Sequence, residues 1–173
     1  MIDAAKVAVV VFVAAILEVA VFSDVKVLGG VPDLLLVTVV AVSLLRGSVA
    51  GACAGFFGGI LLDTATLETL GLSALLLTLI GYWVGRYGET TGRDRTHAPF
   101  LSVAVVTFLY ALGGLALRFV LDEPAPARHV LLETLFQGIA LNLLLTLPVY
   151  ALVRRLLPPR QPVARGEGAH ALG

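Results

Sequence analysis

Gly47-Ser-Val-Ala-Gly51-Ala-Cys-Ala-Gly55-Phe-Phe-Gly-Gly59-Ile-Leu-Leu-Asp63 is the stretch that decides how this chain folds. Gly47, Gly51, Gly55, Gly59 and Asp63 recur every fourth residue. On a helix that spacing lays all five along one slowly drifting stripe. The residues between them are almost wholly apolar. In lipid, a glycine stripe lets another helix lie very close, because no side chain holds the backbones apart. Two uses follow from it: packing against a neighbouring span of the same chain, or docking of a partner's helix. Gly81 and Gly85 repeat the spacing further on, so the third and fourth spans are expected to pack there. A carboxylate at the end of such a stripe is costly unless it reaches an interface or finds a partner. Asp63 is therefore read as reaching the headgroups, capping a loop, or pairing with Arg118 or Arg128.

The composition agrees with a membrane setting. Of the 173 residues 58% are hydrophobic and 14% charged, and the mean hydropathy is +0.97. Soluble domains carry about 45–50% apolar residues even with glycine counted. The length accommodates about six spans of roughly 20 residues each. The formal net charge is zero, which gives no electrostatic support to a nucleic-acid partner. Cys53 is the only cysteine and is read as a small packing residue. His97, His129 and His170 lack metal-ligand spacing, and there is no GxSxG, P-loop or HExxH. No catalytic, cofactor-binding or metal-ligating residue is assigned.

Apolar runs predict spans at about 5–22, 32–45, 47–62, 71–85, 100–121 and 130–152. Pro32 is expected to open the second span from its first turn, with Asp33 near the positive end of the helix dipole. Polar loops are expected at 63–69 and 86–97. The first run is read as a retained span rather than a cleaved signal. The fold expected is an all-α integral membrane protein. Residues 1–157 form one six-helix transmembrane bundle, and residues 158–173 a disordered cytoplasmic tail. With both termini in the cytoplasm, nine of the twelve Lys and Arg residues fall inside, as the positive-inside rule favours.

The polar residues inside the spans are the remaining candidates. Glu18 either pairs with a polar group of span six or snorkels outward. Glu133 and Gln137 share a face of span six, and Asn142 lies deeper. Such groups in lipid bond across to other helices and act as structural glue. Pro148 removes one backbone hydrogen bond and is expected to kink this helix near its inner end.

Taken in order, these features resemble the MreD family, the small integral membrane subunit of the bacterial rod-shape complex. The resemblance rests on Pro32-Asp33-Leu-Leu-Leu, on Gly51…Gly55-Phe-Phe-Gly-Gly59-Ile-Leu-Leu-Asp63, and on Leu70-Gly71-Leu-Ser-Ala-Leu. Gly81-Tyr82-Trp-Val-Gly85 and Asn142 with Pro148-Val-Tyr150 extend it over about residues 1–155. The resemblance implies a fold similar to the six-helix substrate-binding components of energy-coupling-factor vitamin transporters. It also implies a non-enzymatic scaffold of the bacterial inner membrane that binds MreC. Through MreC it would help regulate a SEDS-class glycosyltransferase and its penicillin-binding transpeptidase, and so peptidoglycan synthesis and cell shape. The glycine stripe and the Asp63 region are then candidates for packing and for the MreC contact. A second reading is a small-solute, vitamin-binding transporter component, which needs polar groups open to a ligand on the outer side.

Overall fold

A computed structural model describes residues 2–22, 32–67, 69–91, 98–121 and 128–157, with the backbone alone at residues 2, 3, 21, 22, 91, 98 and 128–134. These residues form six helices and no strand: α1 (Ile2–Leu17), α2 (Leu34–Arg46), α3 (Ser48–Thr66), α4 (Leu72–Thr91), α5 (Ala98–Val120) and α6 (Arg128–Leu156). A π-helical turn, Glu18–Phe22, continues α1. The expected tail, 158–173, lies outside the described residues, as do Lys26, the expected turn glycines Gly29 and Gly30, and the loop residues Arg93, Asp94 and Arg95.

Helix α2 occupies the centre. It touches all five other helices, and every residue from Leu35 to Arg46 is buried. Its sequence explains the placement. Leu34-Leu-Leu-Val-Thr-Val-Val-Ala-Val-Ser-Leu-Leu is apolar on every side, and such a helix is stable only when enclosed. With 13 residues it is about 20 Å long, against a hydrocarbon core of about 30 Å. At least one of its ends therefore stops short of a membrane surface. Among the described residues, three segments are long and apolar enough to cross a membrane by themselves: Ser48–Thr66, Pro99–Val120 and Leu135–Leu156. Outward-facing side chains include Phe12, Phe57, Trp83, Leu101, Phe108 and Leu144. So much exposed aromatic and aliphatic surface is suited to lipid rather than to water.

The most extensive contact is between α3 and α4, which run antiparallel. A methyl group added at Gly55 would fall on the carbonyl of Leu77, and one at Gly51 on the carbonyl of Gly81. One at Gly59 would meet the backbone of Ala74, and one at Gly85 that of Ser48. Gly51, Gly55 and Gly59 are thus covered by α4 and are not presented at the surface. Gly47 departs from the helical register expected of it. It is the single residue between α2 and α3, at φ 94°, a backbone conformation that glycine adopts without a Cβ clash. Its N–H closes the last turn of α2 on the carbonyl of Ser43 (2.8 Å).

The helix limits differ from expectation where carboxylates are involved. Helix α3 runs through Asp63 to Thr66, and α4 runs through Glu89 to Thr91, so both expected loops start later. Pro32 precedes α2 rather than sitting in its first turn, and Asp33 is the N-cap. Pro148 lies within α6, which continues past it to Leu156.

Gly55→Ala is expected to lower the thermal unfolding midpoint in detergent, since overpacking a close contact costs about 1–3 kcal/mol. Gly114, on α5, faces open space. Gly114→Ala should leave the midpoint unchanged or raise it, because alanine is the better helix former by about 1 kcal/mol. Equal midpoints for the two variants would remove the α3–α4 contact from its central role.

Candidate functional site

Three carboxylates on three helices each serve the start of another helix. The first few N–H groups of a helix have no intrahelical acceptor, and a buried orphan donor is costly. Asp63 lies near the end of α3 and is 1% exposed. Its Oδ2 accepts from the N–H of Gly71 (2.8 Å) and Ala74 (3.4 Å), and its Oδ1 from that of Ser73 (3.2 Å). These groups form the entry to α4. At the opposite end of the same hairpin the relation is reversed. Glu89, in the last turn of α4, accepts at Oε1 from the N–H (2.8 Å) and hydroxyl (3.0 Å) of Ser48, the first residue of α3. Each helix of the pair therefore caps its partner. The negative charges also sit at the positive ends of the helix dipoles.

The third carboxylate is Glu18, in the π-helical turn after α1. It is buried, and its Oε2 accepts from the N–H of Leu35 in the first turn of α2 (2.6 Å). Its carboxyl group also lies beside that of Asp33. The N–H of Asp33 donates to Asn142 Oδ1 (2.8 Å), and Asn142 Nδ2 donates to Thr107 Oγ1 (3.1 Å). Asn142, 1% exposed, thereby ties α6 to the start of α2 and to α5. Nearby, the hydroxyl of Tyr110 on α5 donates to Ser73 Oγ at the start of α4 (3.3 Å). Glu18, Asp33, Asp63, Ser73, Thr107, Tyr110 and Asn142 thus form one polar cluster around the N-terminal ends of α2 and α4.

This geometry reassigns several sequence-derived candidates. Of the three uses expected for Asp63, the bonds described show the cap: it is buried and receives the N–H groups of the turn that opens α4. Glu18 does not snorkel. Gln137 is half-buried on α6, and Glu133 lies in the part of α6 where only the backbone is described. Glu89, Ser73, Thr107 and Tyr110 were not singled out from the sequence. The one available signal for Glu89 was its place at the end of an apolar run, next to Arg86, whose Nη1 it meets at 3.4 Å. The bonds from Ser48, with Arg86 beside it, hold the Glu89 carboxyl below the usual carboxylate range. Among the described residues, no three His, Cys, Asp or Glu side chains are arranged to hold a metal ion.

Removing the Asp63 carboxylate strands three N–H donors. Asp63→Ala is expected to cost about 1–3 kcal/mol and to speed amide exchange at residues 71–74, with Asp63→Asn, which keeps one acceptor oxygen, falling between it and the parent. Unchanged exchange in Asp63→Ala would show that the cap contributes nothing. The Glu89 cap works in its ionised form. Its contribution should persist above the ordinary glutamate value of 4.5 and fade as pH drops through the lowered value, read as amide exchange at the start of α3.

Comparison with known proteins bears on the whole helical region. No curated protein and no solved structure matches the chain. A family model, described as rod shape-determining protein MreD, matches residues 4–156, from the first turn of α1 to the last residue of α6. That match and the three long apolar helices identify a membrane protein, and the chain belongs to the MreD family of rod shape-determining proteins.

Proposed function

We propose that this chain is a non-enzymatic scaffold of the rod-shape complex in the bacterial cytoplasmic membrane, with both termini inside and MreC as its direct partner. Membership of a rod shape-determining family supports a role in cell shape. The observation that carries the scaffold reading is how the buried polar groups are used. Glu18, Asp33, Asp63 and Asn142 have the chemistry to act on a substrate, yet they are spent on helix starts and on one another. What remains for function is a rigid bundle with an apolar exterior. In lipid such a surface binds other helices by shape and close packing. By ordering MreC it would bias the attached SEDS-class glycosyltransferase and penicillin-binding transpeptidase toward one conformation.

The glycine stripe does not offer this docking surface, because α4 covers it. MreC is then met by one of the lipid-facing sides. A vitamin-binding transporter component would need polar groups free to hold a solute, and the polar cluster around α2 and α4 is engaged internally.

Coexpressed with an MreC-like protein from the same genome, the tagged chain should copurify with it, and depletion should turn rods into spheres. A correctly folded chain that never retains MreC would sink the proposal. Reporter fusions at the two termini should both report cytoplasm.

A further inference from the structure

The α3–α4 hairpin ends, on both sides, in polar groups that fix its height. At one end is the turn that joins the two helices. Leu67, Thr69, Leu70 and Gly71 are exposed there, and Leu67 (φ 55°) and Gly71 (φ 95°) leave the helical backbone conformation. Lipid-exposed irregular backbone does not occur within the hydrocarbon of a bilayer, so this turn lies at a membrane surface. At the other end the exposed Arg86 guanidinium meets the Glu89 carboxylate (3.4 Å), which accepts the N–H of Ser48 (2.8 Å). That bond ties the charges to the first residue of α3, and exposed charges belong at the opposite surface.

Two separate paths measure the distance between these limits. Helix α4 rises about 22 Å from the Gly71 turn to Arg86, and α3 rises about 22 Å from Ser48 to Asp63, whose carboxylate holds the turn. Tilting the hairpin only lowers this height. The hydrocarbon core of a bilayer is about 30 Å thick, so the hairpin falls short of it by about 8 Å. Between the limits Phe56, Phe57, Leu75, Leu79, Tyr82 and Trp83 face outward. The other helix pair differs. On α5 and α6 the apolar segments Pro99–Val120 and Leu135–Leu156, of 22 residues each, rise about 33 Å and cover the full core. A hydrophobic stretch shorter than the bilayer is met by thinning of the lipid around it.

We propose that the outer face of the α3–α4 hairpin holds a thinned layer of lipid and selects phospholipids with short acyl chains, while α5 and α6 stand in bilayer of ordinary thickness. This selection rests on the membrane placement alone and on no protein partner.

The sole tryptophan, Trp83, lies on this face and reports the lipid beside it. The full chain is reconstituted in brominated dioleoyl phosphatidylcholine mixed with unbrominated dimyristoleoyl, dioleoyl or dierucoyl phosphatidylcholine. The short-chain lipid should displace the brominated one from Trp83 about threefold better than the dioleoyl lipid does, and the dierucoyl lipid should displace it least. In Trp83→Phe/Leu144→Trp the reporter moves to an exposed position of α6, and the short-chain preference should vanish. Leu147, also exposed on α6, takes the reporter if that variant does not fold. Equal displacement by the three lipids at Trp83, or the same short-chain preference on α6, would overturn the proposal. So would a Trp83 that no brominated lipid quenches, since that face would then be covered by something other than lipid. Failure of MreC copurification leaves these readings unchanged, so the two proposals fail separately.

Discussion

A helix that begins inside a bilayer has N–H groups pointing at its start and no water to receive them. This bundle contains a central helix about 20 Å long, so at least one such start lies at depth. The chain meets the constraint by lending acceptors between helices. Glu18 and Asn142 serve α2, Asp63 serves α4, and Glu89 serves α3. A carboxylate is an expensive group to place in lipid. Here its charge faces helix dipoles and backbone donors, which offset the loss of hydration. The same bonds fix which helix ends are adjacent, so the acceptors also specify topology.

The α3–α4 hairpin depends on two kinds of contact that reinforce each other. Along its length, glycines bring backbone against backbone, with 51 opposite 81, 55 opposite 77 and 59 opposite 74. At its two ends, Asp63 and Glu89 cap in opposite directions. The glycine face alone would tolerate sliding by a turn. The caps do not, because a shift of one residue removes the N–H groups from reach. Dispersion supplies attraction and the hydrogen bonds supply register.

How much of this was legible in the sequence follows the range of each interaction. Apolar runs located all six helices, and the four-residue glycine spacing identified the surface that packs against α4. Spacing carries no information on φ, so Gly47 was placed in the helix although it is the hinge before it. Helix ends were misplaced at Glu89 and Asp63 because polar residues ordinarily mark loops. In this fold they remain helical because their acceptor oxygens are needed by another helix. The Asn142–Asp33 bond joins residues 109 apart in sequence, and no linear pattern signals it. The central position of α2 had a readable sign in its all-round apolar character, but enclosure by five neighbours is a property of the packed bundle.

The helix at the heart of this molecule is the second one synthesised, while one of its essential acceptors, Asn142, arrives on the sixth. Until the last segment has entered the membrane, the amide of Asp33 has no side chain to receive it and the middle of the structure stays open on one side. Folding is thus tied to completion of translation: the ribosome must deliver nearly the whole polypeptide before the interior can close, and a nascent chain cut short before α6 leaves its own centre unsealed.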